Sequence, residues 1–105
     1  MVQKPIASRV LHCEIEGTKE EVIVRLGLPI MEKDHFTCEY EISVTSRTET
    51  YQINGLDSIQ AIQLAMFMVG SALQAIPGAT NWSFNGEPYV GFPTSLDQPI
   101  VGLRF

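Results

Sequence analysis

Two histidines and two cysteines are the side chains best suited to bind a metal ion. His12 and Cys13 are neighbours, and His35 and Cys38 stand three residues apart. A structural zinc site needs four nitrogen or sulfur ligands that converge on one point. If residues 10–16 form a strand, His12 and Cys13 point to opposite faces, so at most one of them can bind a given ion. The sequence also has no Cys-x-x-Cys pair, and we therefore predict no metal site and no cofactor.

A cysteine nucleophile with a histidine base is the next chemistry to consider. The three-residue spacing of His35 and Cys38 places them on opposite faces of a strand. Cys13 and Cys38 both lie in apolar patterns, where the reactive thiolate is disfavoured. A catalytic thiol is therefore not expected.

Carboxylate pairs two residues apart also occur, at Glu14 with Glu16 and at Glu39 with Glu41. Such pairs divide acid and base roles only when one of them is removed from water. We expect all four on the polar face of a sheet, where they are solvated. The sequence thus predicts no catalytic residue, and a non-enzyme is favoured.

Four segments position these side chains by alternating apolar and polar residues, as half-buried strands do. They are residues 10–16, 21–28, 36–44 and 49–53, and the short links between them predict an antiparallel meander. The apolar face comprises Leu11, Cys13, Ile15, Val22, Val24, Leu26, Leu28, Phe36, Cys38, Tyr40, Ile42, Val44, Tyr51 and Ile53. The opposite face is acidic and comprises His12, Glu14, Glu16, Glu21, Ile23, Arg25, Thr37, Glu39 and Glu41. It is either a solvated face or a docking surface for a basic partner.

A long neutral helix follows the strands. Asp57 is its predicted N-cap, and Gln60 completes a capping box. The helix is expected over residues 57–76, ending before Pro77-Gly78. Its polar side chains form a narrow stripe, so its apolar remainder needs more cover than one small sheet gives. The C-terminal segment and a second subunit are the two candidates for that cover.

Composition and charge exclude several function classes. The chain has 105 residues, enough for one domain, with 12 acidic and 7 basic side chains and a net charge of −5. Without clustered basic residues, binding to nucleic acid or to an anionic membrane is not expected. Three Gln residues in the helix and the lack of basic anchors argue against a membrane span. The two cysteines and the absence of a secretory signal at the N-terminus favour the cytoplasm.

Several motifs together resemble a known family. They are Ile6-Ala7-x-Arg9, Val22-x-Val24-x-Leu26-Gly27-x-Pro29, Cys38-x-Tyr40-x-Ile42, Gly55-x-Asp57-x-x-Gln60-Ala61-x-x-Leu64-Ala65, Asn81-Trp82 and Gly91-Phe92-Pro93. Over residues 6–93 the chain resembles a family of small bacterial domains of uncharacterised function. The Gly-x-Asp-x-x-Gln-Ala stretch at the start of the helix is the most specific of these motifs. The resemblance implies a bacterial cytoplasmic domain of sheet-plus-helix type, and it implies no activity.

We therefore predict a two-layer α+β domain over residues 1–105. An antiparallel meander of four or five strands occupies residues 8–54, with the helix across its apolar face. Residues 80–105 form a C-terminal hairpin and tail, because Asn85-Gly86 is a tight-turn signal.

The function that these features favour is a non-catalytic protein-interaction module that forms a homodimer. One version is a small acidic protein that neutralises a basic toxin, as immunity proteins do. The expected interface residues are apolar residues of the helix and tail, namely Met66, Phe67, Val69, Leu103 and Phe105.

The alternative is a small-ligand-binding protein or an enzyme with a pocket between helix and sheet. Asp57 and Gln60 would supply polar contacts beside the turn at Asn54-Gly55. Trp82 and Phe92 would stack on a flat ligand. For each of these four residues the structural role, as helix cap or as core, is the competing interpretation.

Overall fold

A computed structural model describes residue 2 and residues 4–93. Six strands and one helix follow one another along the chain. They are β1 (Pro5–Ile15), β2 (Thr18–Gly27), β3 (Ile30–Glu32), β4 (His35–Val44), β5 (Arg47–Gly55), α1 (Ser58–Gln74) and β6 (Ala79–Ser83). The predicted α+β class with an antiparallel sheet and one helix is confirmed, and the sheet curls into a half-barrel. It has six strands. The prediction of four or five strands did not include β3, and it left open whether the segment of β6 forms a strand.

The sheet is antiparallel throughout, with the spatial order β5, β4, β2, β1, β6. On one side β4 pairs with β5 over its whole length, from Phe36–Gly55 to Val44–Arg47. On the other side β4 pairs with β2 through residues 40–44 and with β3 through residues 35–37. Because short links connect β1, β2, β4 and β5, the chain builds most of the sheet as a meander.

The helix α1 packs mainly over β4 and β5, on the concave face of the sheet. Its buried side is spaced three and four residues apart, as one face of a helix must be, and comprises Ala61, Ala65, Val69 and Leu73. Gly55 lies directly beneath the helix, where an added Cβ would come within 2.8 Å of Cα of Ala61. A glycine is required here because two backbones approach each other closely.

Period-two alternation identified the core of the sheet correctly. The buried sheet residues of the core are Leu11, Cys13, Val22, Val24, Leu26, Cys38, Tyr40 and Ile42, all on the predicted apolar face. Leu28 is an error of that prediction, since its side chain is exposed. The regular strand β2 ends at Gly27, and the backbone N–H of Leu28 donates to the carbonyl of Lys4 at 2.9 Å. The alternation therefore ends before Leu28.

The convex face of the sheet is not uniformly solvated. Glu41, expected in water, is buried and accepts a hydrogen bond from Arg25 at 3.0 Å and one from the backbone N–H of Val2 at 3.4 Å. Val2 is itself buried, and it lies against Gly27 on this face. Thr37 is also buried and donates to Oδ1 of Asn54 at 3.0 Å. The expectation that Glu41 and Thr37 are solvated is wrong, because Val2 covers Glu41, and Thr37 is buried with its hydroxyl bonded to Asn54.

The start of α1 confirms Asp57 as N-cap and modifies the expected capping box. Asp57 is extended, and its Oδ1 accepts from the backbone N–H of Gln60 at 2.7 Å. The side chain of Gln60 reaches back one residue further than the motif requires, and its Oε1 accepts from the backbone N–H of Leu56 at 2.6 Å. At the other end the chain leaves the helix through Gly78, whose φ of +74° favours glycine.

The segment after the helix forms an edge strand and a minimal hairpin. β6 pairs with β1 through Glu14–Thr80 and Ile15–Ala79. The expected turn at Asn85-Gly86 is present, with one bridge between Phe84 and Glu87. The expected tail from residue 94 onward, including Leu103 and Phe105, lies outside the described residues. In the part of the chain that is described, no helix has the length and apolar character to cross a membrane.

Candidate functional site

Exposed apolar side chains are concentrated at one end of the sheet. Of nine large hydrophobic residues with high exposure, five lie in the segments 28–31 and 56–59. We call this set the apolar end, and it comprises Leu28, Ile30, Met31, Leu56 and Ile59. Leu56 is 80% exposed, and Met31 and Ile59 are each 67% exposed. A group of large exposed apolar residues is typical of a surface that binds another protein.

Backbone pairing explains why these two segments meet. Phe36, near the start of β4, pairs with Met31 on one side and with Gly55 on the other. Leu56 follows Gly55 directly. The start of α1, which includes Ile59, lies over Gly55. Residues far apart in sequence therefore converge on one end of β4.

The second exposed feature is the outer edge of β5. This strand has nine residues, and its pairing with β4 runs without a register shift. Within residues 4–93, no strand pairs with its other side. Edges of this kind leave backbone N–H and C=O groups free to pair with another chain.

Polar side chains line the concave side of β5. Arg47 and Glu49 form an ion pair at 2.7 Å, and the hydroxyl of Tyr51 donates to Oε2 of Glu49. The hydrogen bond from Tyr51, followed by the charge of Arg47, lowers the pKa of Glu49. The same hydrogen bond, which the neutral phenol donates, raises the pKa of Tyr51. The hydrogen bond thus favours the charged form of Glu49 and the neutral form of Tyr51.

A cleft of about 410 Å³ lies between this row and the end of α1. Ile42, Val44, Ala72 and Ile76 supply apolar walls, while the polar side is the row from Arg47 to Tyr51. Ligand sites combine these features, an apolar cavity with a few convergent polar groups. The cleft can hold a small amphipathic molecule, but it contains no paired nucleophile and base.

Arg9 fixes the chain on the other half of the concave face. Its guanidinium donates to the carbonyls of Val90 and Gly91, both at 3.0 Å. It also lies between two aromatic rings, 4.3 Å from the centroid of Phe84 and 4.9 Å from that of Phe92. We call these contacts the Arg9 clamp. They hold residues 84–92 over β1 by charge-assisted hydrogen bonds and cation–π contacts.

A smaller cavity of about 170 Å³ adjoins the clamp. Its lining is mostly apolar and includes Val24, Leu26, Met66 and Phe92, with Arg9 as its one charged group. Arg9 already donates to two backbone carbonyls. The cavity is therefore best explained as imperfect packing between α1 and the clamped segment.

The structure separates the four residues predicted to bind a ligand. Asp57 and Gln60 cap the helix, which was the competing structural interpretation. Trp82 lies in β6 and Phe92 lies near Met66 and Gly70 of α1, and both pack against the core. Of the four, only Phe92 lines either of the two cavities described.

The predicted interface residues of the helix have different environments. Val69 lies on the buried side of α1 and has no exposed surface that a second chain could contact. Met66 packs against the core and lines the smaller cavity. Phe67 is half-buried on the side of α1 away from the core, within the stripe formed by Gln60, Gln63, Ser71 and Gln74. Sequence reasoning missed the apolar end, although Leu56 and Ile59 flank the cap that it identified.

The cysteines and histidines are dispersed. Cys13 and Cys38 are free and buried, and burial is the main cause that raises the pKa of each thiol. His12 lies 3.8 Å from Glu21, and His35 lies 3.2 Å from Asp34. Among the described residues, no three side chains of the ligating types come together as a metal site.

Comparison with known proteins gives one match. A family model described as "Domain of unknown function (DUF6968)" matches residues 7–94. The matched span contains nearly all of β1 and every later element, so it covers nearly the whole described fold. No curated protein and no solved structure matches the chain.

Proposed function

The chain belongs to the DUF6968 family of domains of unknown function, and we propose that it is a non-catalytic protein-interaction module. The observation that carries the proposal is the apolar end, where Met31, Leu56 and Ile59 hold most of their surface in water. Burying such side chains against a partner contributes about 25 cal/mol per Å² of apolar surface. The bacterial, cytoplasmic setting implied by the sequence resemblance is part of the same proposal.

The catalytic alternative lacks a suitable constellation in the described part of the chain. Burial raises the pKa of both cysteine thiols, which disfavours the nucleophilic thiolate. Glu41, the most buried carboxylate described, is ion-paired with Arg25 and faces the N-terminal segment rather than a cavity. These arrangements stabilise the fold and present no reacting group to a substrate.

A basic protein is the partner class that the net charge of −5 favours. Pairing with Arg25 neutralises Glu41, whereas Glu14, Glu21 and Glu39 remain at least partly accessible on the convex face. These carboxylates would accelerate the encounter, while the apolar end would supply most of the affinity. Neutralisation of a basic toxin, as immunity proteins do, is one form of this function.

Proteins encoded beside this gene are the partners to test, using isothermal titration calorimetry. The first variant carries Met31→Ser, Leu56→Ser and Ile59→Ser. Its matched control carries Ile6→Ser, Val10→Ser and Tyr89→Ser, three exposed apolar residues elsewhere. We expect affinity to fall more than tenfold in the first variant and less than twofold in the control, since apolar anchors dominate interface energies. Equal losses in both, or no binding by any neighbouring product, would refute the proposal.

A second candidate function is binding of a small amphipathic ligand in the 410 Å³ cleft. The observation in its favour is the fixed row of Arg47, Glu49 and Tyr51 along an apolar cavity. If this function holds, a thermal-shift screen should find a small molecule that raises the unfolding temperature of the protein. Tyr51→Phe should weaken any true hit, whereas Tyr89→Phe, outside the cleft, should not.

A further inference from the structure

The free edge of β5 has few of the features that normally prevent strands of two molecules from pairing. The strand contains no proline and no lysine, and its register with β4 is continuous through nine residues. Natural sheets protect their edges with proline, inward charges, bulges or very short strands. Of these features β5 has only the charges of Arg47 and Glu49 on its concave side, and those two form an ion pair with each other. The edge is therefore suited to pair with another strand.

The hairpin geometry determines which backbone groups point outward. A two-residue turn joins β4 to β5, so its closing pair, Val44–Arg47, exchanges both hydrogen bonds. Hydrogen-bonded pairs then alternate along the ladder. The N–H and C=O groups that point away from β4 are those of Thr48, Thr50, Gln52 and Asn54. Their side chains are uncharged and lie together on the convex face.

We propose that a second copy of this chain pairs with β5 in antiparallel fashion, about a two-fold axis that passes through Tyr51. In this register Thr50 faces Gln52 of the second copy, and Thr48 faces Asn54. All four outward-pointing residues of each strand are then paired, so the full length of the edge is used. Two-fold symmetry makes every contact away from the axis occur twice, as in other isologous dimers.

Charge selects this register over a neighbouring one. With the axis at Tyr51, Glu49 faces Ile53 of the second copy and Arg47 faces Gly55. A shift of two residues toward the start of β5 would place the axis at Glu49 and bring two carboxylates face to face. Like charges directly opposite each other destabilise a strand pair.

Aromatic stacking supports the same register. Within one chain Tyr40 and Tyr51 already stack across β4 and β5, with ring centroids 5.3 Å apart and planes at 22°. Tyr51 is still 41% exposed, because its outer side faces the open edge. A second Tyr51 would lie opposite it as a non-hydrogen-bonded pair, the kind in which side chains approach most closely. The dimer would thus extend the stack to four tyrosines across four strands.

Disulfide trapping at the axis tests the register. Tyr51→Cys, treated with oxidised glutathione, should form a covalent dimer, because the two thiols would face each other within bonding distance. Tyr89→Cys is the matched control, since Tyr89 is a 52% exposed tyrosine that is not on the edge of β5. The native Cys13 and Cys38 are buried, so they do not compete. Cross-linking of Tyr89→Cys as fast as Tyr51→Cys would overturn the proposal.

Sedimentation equilibrium tests the edge independently of any new thiol. The wild-type protein should approach twice its monomer mass of 11.7 kDa as concentration rises. Thr50→Pro removes one outward N–H and should raise the dissociation constant of the dimer at least tenfold. Thr50→Ala keeps that N–H and should still dimerise. A concentration-independent monomer, or equal dimerisation by both variants when circular dichroism shows both folded, would refute pairing at this edge. Neither result bears on the partner proposed for the apolar end.

Discussion

Two edge strands of the sheet, β5 and β6, differ in how readily another strand could pair with them. β5 at one edge has nine residues in unbroken register, while β6 at the other has five residues and a register shift opposite His12 and Glu14. Asn81, in the middle of β6, has a φ of +54°, which removes it from extended geometry. A short, irregular strand is a poor template for pairing. Of these two edges, the β5 edge is therefore the better suited to receive another strand.

The largest effect should come from filling the space beneath the helix at the end of β5. Gly55→Val places a side chain against backbone atoms of Ala61, which cannot move without lifting the start of α1. We expect a loss of about 3 kcal/mol in the free energy of unfolding, measured by urea denaturation, because overpacking against backbone is poorly relieved. The lifted helix should also weaken the support of the β5 edge.

Gly86→Ala serves as the control for that substitution. Gly86 has open space around its Cβ position and a φ of +82°. Its loss should therefore be limited to the backbone strain of about 1–2 kcal/mol that a left-handed residue incurs. A cost for Gly55→Val no greater than that of Gly86→Ala would contradict the close approach of helix and strand.

Breaking the Arg9 clamp should have the next largest effect, at the β6 side. Arg9→Met removes two hydrogen bonds to the carbonyls of Val90 and Gly91 and both cation–π contacts. We expect a loss of about 2 kcal/mol and faster amide hydrogen exchange in residues 84–92. Arg47→Met, at an arginine whose side chain is 81% exposed, should change the free energy of unfolding by less than about 0.5 kcal/mol. Equal effects of the two changes would show that the clamp contributes nothing.

A smaller change tests the irregularity of β6. Asn81→Ala should cost about 1 kcal/mol, because alanine adopts a positive φ less readily than asparagine. Asn81→Gly relieves that strain and should stay close to wild type. Thermal unfolding of the three proteins measures the difference. Identical midpoints for Ala and Gly at this position would mean that the left-handed turn in β6 is not maintained.

The smallest effect concerns the pH dependence of the β5 edge. The pKa of Glu49 lies below its usual value because Tyr51 donates a hydrogen bond to it and Arg47 lies beside it. Its contribution to stability is present above the pKa of the unfolded chain and is lost as pH falls through the lower folded pKa. In an NMR titration, Tyr51→Phe should raise the pKa of Glu49 toward its ordinary value. An unchanged pKa would show that the hydrogen bond is absent in solution.

Much of the fold follows from local patterns in the sequence. Alternation identified core residues such as Leu11 and Val24, and the N-cap at Asp57 marked the start of α1. These predictions succeed because each depends on neighbours along one strand or one helical turn. β3 was missed because three residues, Ile30–Glu32, are too few to show a period.

The surfaces could not be predicted in the same way, because they depend on contacts distant in sequence. Glu41 is buried by Val2, which lies 39 residues earlier, and no pattern around either residue signals that contact. Arg9 binds Val90, 81 residues later. Arg9 belongs to the motif Ile6-Ala7-x-Arg9, but that motif gave no sign of this contact. The apolar end likewise arises only when Met31 and Gly55 pair on either side of Phe36. Sequence reasoning expected an apolar interface on the helix at Met66, Phe67 and Val69, whereas Val69 is fully buried and Ile59, at the start of the helix, is 67% exposed.

The hydrogen bond from the backbone of Leu56 to the side chain of Gln60 links the end of β5 to the start of α1. It joins the hairpin of residues 35–55 to the helix that packs on it, so this part of the molecule is contiguous in sequence. Its contacts close short loops, whereas pairing of β1 with β6 joins residues 66 positions apart at Glu14 and Thr80. Because loop-closure entropy delays distant contacts, we expect hairpin and helix to assemble early in folding and β6 to dock last.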